Sequence, residues 1–208
     1  MLSASMPSLT DKLVAKSERW REVVLGPLLS FLQRIGVSAN AISCVRLALA
    51  LCFPFLIISA PVLAWWAIAI AIAADGLDGA LARHAGTESD RGKFVDVLAD
   101  QLTFVVLCLG LLRLIPELAL TLAVCATLIP TAYLMAMVSR NEKLKSDWLI
   151  HPEARLTGYK IVFLIIIIFL LNSIFSMEIA VALLWVLVVL AFLHFSYHLI
   201  AFIKRHPA

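Results

Sequence analysis

Four aspartates are the residues in this chain with the clearest capacity for chemistry. They stand at Asp75, Asp78, Asp96 and Asp100, inside stretches that are otherwise apolar. A carboxylate placed in hydrocarbon costs roughly 2.5 to 3.5 kcal/mol even on a lenient insertion scale, so four of them require compensation. Asp75 and Asp78 are three residues apart and share a helical face with Gly79 and Ala82, while Gly92, Asp96 and Asp100 repeat every fourth residue. Each segment therefore presents one carboxylate stripe. Counted from the polar connection between them at about 1.5 Å per residue, Asp78 lies roughly 8 Å below Arg83 and Asp96 about 5 Å below Lys93, with Asp75 and Asp100 at about 12 and 10 Å. Oxygen-only clusters of this kind suit hard divalent cations, Mg²⁺ or Mn²⁺ with Ca²⁺ as a further option, and two ions would neutralise four carboxylates. Arg83 is the one basic residue counted within the patch, too little to balance it. Glycines at 79 and 92 leave room for a ligand or for an opposing helix. A metal pair beneath a basic rim fits diphosphate chemistry, with a substrate hydroxyl as nucleophile and a cluster carboxylate taking its proton.

The elements that must position these residues follow from composition. The chain has 208 residues, 62% hydrophobic and 15% charged, with a mean hydropathy of +0.99. That composition excludes a conventional soluble domain and a large separate soluble domain. Apolar segments run from Ala41 to Ala60, Val62 to Arg83, Phe94 to Ile115, Glu117 to Val138, Thr157 to Phe175 and Glu178 to Ile203. Each is long enough for a bilayer core of about 30 Å, and their continuous hydrophobicity selects helices. The expected fold is all-α, an integral membrane bundle of six transmembrane helices over residues 41–208. A cytoplasmic segment over residues 1–40 precedes it. There Leu9, Leu13, Trp20 and Val24 recur at helical spacing beside Lys12, Lys16 and Arg19, until Gly26-Pro27 interrupts the pattern. This predicts an amphipathic surface helix or an arm packed on the bundle.

With six crossings both termini share one side, and every Lys and Arg except Arg113 falls there. The positive-inside rule makes that side cytoplasmic, with the acidic site facing it. The net charge of +3 thus reflects topology and does not point to nucleic acid. Trp65 and Trp66 fall at the outer end of the second segment, as interfacial anchors or as lipid-facing packing. Cys44, Cys52, Cys108 and Cys125 stand singly in apolar runs, without a metal or disulfide pattern. His194 and His198 are four apart, a spacing that can bind metal, but packing or interfacial placement is favoured.

The run Asp75-x2-Asp78-Gly79-x2-Ala82-Arg83, eight residues, Gly92-x3-Asp96-x3-Asp100 resembles the complete signature of the CDP-alcohol phosphatidyltransferase family. The resemblance implies a phospholipid-synthesis enzyme that transfers the phosphatidyl group of CDP-diacylglycerol to an alcohol and releases CMP by direct displacement. It implies that Asp75, Asp78, Asp96 and Asp100 hold Mg²⁺ or Mn²⁺, that Asp100 is also the general base, and that Asp75, Asp78, Gly79, Ala82 and Arg83 bind the CDP moiety. It also implies a homodimer, and it suggests a bacterial inner membrane.

Upstream, Asn40, Ser43 and Arg46 resemble the Pro-Asn-x-Leu-Thr-x-x-Arg start of the first helix in the phosphatidylglycerophosphate and cardiolipin synthase branch. Ala39, Ile42 and Ser43 depart from it, though Ser43 keeps the hydroxyl. Asn40 is a candidate nucleotide contact or a helix N-cap. That branch usually carries Asp-Pro-x-Ala-Asp-Lys at the second acid pair, where this chain reads Asp96-Val97-Leu98-Ala99-Asp100-Gln101. Glycerol 3-phosphate is the leading acceptor, with inositol phosphate, serine or phosphatidylglycerol behind it. Arg140, Arg155 and Lys160 are candidates for binding its phosphate or, equally, for anchoring helices against anionic lipid. The reading from another class is an ion or proton transporter using the intramembrane acids.

Overall fold

The computed structural model describes residues 24–87, 89–143 and 154–206; the side chains at 90, 91, 140, 142, 143 and 154–157 lie outside that description, as does most of the amphipathic pattern ending at Val24. Seven α-helices and one 3-10 turn make up the described chain, with no strand among the described residues: α1 (24–34), α2 (Ala39–Ser59), α3 (Pro61–His84), α4 (Asp90–Leu114), the turn Pro116–Leu118, α5 (Ala119–Lys143), α6 (Ala154–Leu171) and α7 (Met177–Arg205). The all-α membrane bundle read from the sequence is what the chain forms. Five helices, α2 to α5 and α7, are long and apolar enough to cross a membrane, and the apolar part of α6, Gly158–Leu171, is shorter.

One continuous core joins all six long helices. Phe53 and Ile57 of α2, Ile68 of α3, Leu107 and Leu111 of α4, Leu122 and Ile129 of α5, Phe163 of α6 and Leu184 of α7 are buried in it. Edge-to-face pairs, Phe53 with Trp65 at 5.2 Å and Phe104 with Phe163 at 5.0 Å, fix ring positions. Outside this core the helices leave Phe55, Val62, Trp66 and Leu120 mostly exposed, as suits a surface solvated by lipid rather than water. Trp65 fits neither alternative, since it packs inward on Phe53, whereas Trp66 points outward, as both alternatives require.

Phe53 packs directly on the backbone of α4 at Gly110. A methyl group there would stand 2.3 Å from two carbons of the fully buried Phe53 ring. Overpacking of this kind costs about 1 to 3 kcal/mol. Gly110→Ala is therefore expected to lower the melting temperature of the detergent-solubilised protein, while activity per folded molecule stays near normal.

Packing among the helices departs from the simplest reading of the sequence in one way that matters for the site. The two acid-bearing helices α3 and α4 are consecutive, yet they share little contact; α2 packs extensively against both. Toward the other end of α2, Arg113 of α4 donates to the Pro54 carbonyl at 2.8 Å, a further tie between α4 and α2.

Helix α1, residues 24–34, includes Gly26-Pro27, where the sequence pattern predicts an interruption. Tertiary burial explains this: Leu29 is fully buried against Ala80 and Leu81 near the end of α3, flanked by Leu25 and Leu32 at helical spacing. Ser30 Oγ and His84 Nε2 are also hydrogen-bonded, at 3.2 Å. Both α1 and α3 end in the same way. Gly36 and Gly86 take the left-handed conformation, φ 75 and 63. In each case the amide of the following residue, Val37 or Thr87, bonds five residues back at 3.0 Å, to Leu32 and Ala82. Glycine meets this backbone demand without a Cβ penalty. Each turn leads into a serine-capped helix. Ser38 accepts from the Ala41 amide at the start of α2, and Ser89 accepts from the Gly92 amide at the start of α4. The cap of α2 is therefore Ser38, and Asn40 lies inside the first turn; the capping role considered for Asn40 is corrected.

Candidate active site

Residues of the two glycine turns and the two serine caps line a cavity of about 510 Å³. Its lining includes Asn40, Asp78, Gly79, Ala82, Arg83, Gly92 and Asp96 of the predicted residues, and Gln33, Ser38, Ser43, Thr87 and Lys93 besides. First-turn residues of α2 and α4 both line it, so the partial positive charge of two helix N-termini acts on its contents alongside Arg83 and Lys93. Anion-attracting groups and two carboxylates, Asp78 and Asp96, line the same cavity, a combination suited to a diphosphate held with cations.

The glycines resolve an alternative that spacing left open. A methyl at Gly79 would find Arg83 Nη1 at 3.7 Å as its near neighbour, and one at Gly92 would find Ser89 Oγ at 3.1 Å. Neither position meets an opposing helix; both face cavity. Gly79→Ala should then stabilise α3 by about 0.5 to 1 kcal/mol, since it removes a helix-interior glycine. The same methyl intrudes on the cavity, so KM for a substrate bound there is expected to rise. Melting curves and steady-state kinetics on one preparation check both signs.

Beneath the cavity, Arg46 of α2 is 1% exposed and reaches three of the four acids. Its Nη1 donates to Asp75 Oδ1 and lies 3.8 Å from Asp78 Oδ2; its Nη2 donates to Asp96 Oδ1 at 3.0 Å and to the Asp96 carbonyl at 3.2 Å. Asp78, 3% exposed, also accepts from Ser43 Oγ at 2.6 Å and from the Gly79 amide at 2.7 Å. Asp75 and Asp96 are 45% and 42% exposed, so their bonds to Arg46 leave much of each carboxylate open.

Asp100 belongs to a second pair. Its Oδ2 accepts from Lys160 Nζ of α6 at 2.5 Å and from Gln101 Nε2 at 3.3 Å. The ammonium also lies 5.7 Å from the Phe104 ring centre and 5.6 Å from that of Tyr133, within cation–π range. Asp75 and Asp100 do not line the cavity, whereas Asp78 and Asp96 do.

The expectation that Arg83 alone offers positive charge to the patch is thus corrected, because Arg46 and Lys160 arrive from α2 and α6. Among the described residues no group of three or more His, Cys, Asp or Glu converges as a finished ion site. The donor set nonetheless fits a hard divalent cation in kind. It is all oxygen, and the guanidinium already marks a point where three carboxylates hold positive charge. His194 and His198 lie ring to ring at 4.8 Å, with Tyr159 edge-on to His194. The side chains of Arg140 and Arg155 lie outside the described residues.

The family model for CDP-alcohol phosphatidyltransferase matches residues 36–193, a span that includes the cavity, Arg46, all four aspartates and Lys160. The chain belongs to the CDP-alcohol phosphatidyltransferase family. It is an enzyme, a transferase of substituted phosphate groups in phospholipid biosynthesis, and the choice against a transporter is settled. No curated protein matches it.

Proposed function

We propose that this chain transfers the phosphatidyl group of CDP-diacylglycerol to glycerol 3-phosphate and releases CMP. The observation that carries the proposal is a cavity lined by two helix N-termini, Arg83 and Lys93 together with Asp78 and Asp96 of the family's own signature. In this reading Asn40, Gly79, Ala82 and Arg83, with Asp75 and Asp78, hold the CDP moiety. Asp75, Asp78, Asp96 and Asp100 would hold Mg²⁺ or Mn²⁺, two ions in all. Bound there, the ions would neutralise the diphosphate and stabilise charge on the departing CMP. The chain's own residues do the rest. The acceptor hydroxyl oxygen forms a bond to the phosphatidyl phosphorus as the bond to the CMP oxygen breaks, and Asp100 takes the hydroxyl proton. Lys160 aims that carboxylate through its 2.5 Å bond.

Lys160, paired with Asp100, is the proposed partner for the phosphate of an acceptor whose hydroxyl is at Asp100, with Arg140 and Arg155 as its proposed companions. The site faces the cytoplasm of a bacterial inner membrane, both termini lie on that side, and two copies associate. The charge asymmetry of the sequence supports the orientation.

The test is release of CMP from CDP-diacylglycerol by the purified protein, with the lipid product identified, against glycerol 3-phosphate, inositol phosphate, serine and phosphatidylglycerol. Turnover with glycerol 3-phosphate and formation of phosphatidylglycerophosphate are expected. Turnover with unphosphorylated acceptors alone would remove the acceptor roles of Arg140, Arg155 and Lys160.

A further inference from the structure

Three acids of the cluster come from two helices that barely touch, and what lies between them is one turn of α2. Ser43 and Arg46 are three residues apart on that turn, hence on one face. The guanidinium is two-armed: Nη1 binds the acids of α3, and Nη2 binds Asp96 of α4 by side chain and carbonyl. Ser43 adds its hydroxyl to Asp78 from the same face. The remaining nitrogen, Arg46 Nε, is buried without a hydrogen-bond partner. Such an orphaned donor is costly, and the side chain tolerates it while both arms stay on the acids. That is the signature of a cation placed for what its arms hold.

We infer that Arg46 is a positioning residue. Its guanidinium is a resident cation that bridges α3 and α4 and keeps Asp75, Asp78 and Asp96 assembled before any divalent ion or substrate arrives. This deepens the proposed function, since it concerns the same acids, and it assigns Arg46 no contact with substrate. A divalent ion and Arg46 then act on the same carboxylates, so a chain lacking the bridge must depend on the ion for cohesion. Lysine keeps the charge but cannot reach both helices with a planar fork. Methionine keeps the bulk and loses the charge.

The experiment uses the full-length chain in detergent micelles, purified with Mn²⁺ and then divided into EDTA-treated and Mn²⁺-loaded samples. Wild type, Arg46→Lys and Arg46→Met are melted in both states, and CMP release is measured alongside. In EDTA, Arg46→Met is expected to melt at least about 6 °C below wild type, with Arg46→Lys between them. Mn²⁺ should raise Arg46→Met most, Arg46→Lys less and wild type least, by linkage of ion binding to folding. Equal melting of Arg46→Met and wild type in EDTA would overturn the inference. So would a loss in Arg46→Met that Mn²⁺ does not reverse, because that is a packing defect. If Arg46→Met does not accumulate, a wild-type-like Mn²⁺ response of Arg46→Lys overturns the bridge. Absence of CMP release by Mn²⁺-loaded wild type would instead remove the functional reading, and the EDTA melts would still decide the role of Arg46.

Discussion

Asp78→Asn yields a protein that folds and has lost its catalytic rate by about 10³-fold, the size of effect expected when one preorganised charge at a reacting diphosphate is removed. The hydrogen bonds around Asp78 explain why folding survives. An asparagine oxygen can keep the Gly79 amide bond, and its Nδ2 can donate to Ser43 Oγ. Ser43 already lies 3.2 Å from the Ala39 carbonyl and can turn its proton there. What cannot be replaced is the negative charge facing Arg46 and the cavity. Melting temperature and CMP release, measured on the same preparation, separate the two effects. A variant that melts with wild type and retains more than about a tenth of its rate would contradict the role given to Asp78.

The second large effect concerns Asp100 and Lys160, and exposure decides its direction. The Lys160 side chain is 10% exposed and that of Asp100 is 38%. Asp100→Asn leaves an ammonium buried among Phe104 and Tyr133 with no carboxylate, a loss of the kind that costs about 3 to 5 kcal/mol. Lys160→Met leaves a carboxylate that solvent and headgroups can still reach, so its cost is closer to 1 kcal/mol. Asp100→Asn should therefore be the less stable variant, and the double variant should recover part of the loss. Activity follows a different order. Asp100→Asn abolishes turnover because the proton acceptor is gone, whereas Lys160→Met lowers kcat by a smaller factor through loss of aim. Chemical denaturation and steady-state kinetics of the three variants check this pattern; an Asp100→Asn enzyme with near-normal turnover would remove Asp100 as the base.

How much of this could be read in the sequence depends on the range of each interaction. The aspartate stripes were legible because the cost of a carboxylate in hydrocarbon makes each one conspicuous, and because i, i+3 and i, i+4 spacing is local. The helical class and the membrane setting followed from continuous apolar runs. Arg46 was visible as a match to a motif position, but its partners lie 29 and 50 residues away on other helices. The available signal was its isolation: an arginine within an apolar span needs a partner of opposite charge, and the nearby aspartates were the unpaired acids. Lys160 at the polar end of α6 carried the same signal, partnered across 60 residues by Asp100. Gln101, where lysine is usual in the related branch, hinted that a cation for Asp100 had to come from elsewhere. Helix α1 ran through Gly26-Pro27 because burial of Leu29 against α3 outweighed a local breaking tendency. Asn40 gave up the cap because Ser38, two residues earlier, meets the Ala41 amide from an extended backbone.

The most direct measurement is CMP release from CDP-diacylglycerol by the purified wild-type chain, first stripped with EDTA and then titrated with Mg²⁺ or Mn²⁺. Release should be absent in EDTA, return on addition of either ion, and stay about 10³-fold lower in Asp78→Asn at every ion concentration. CMP release undiminished in EDTA, or unaffected by replacing Asp78, would contradict the assignment of the aspartate cluster as the cation-holding centre of the transfer.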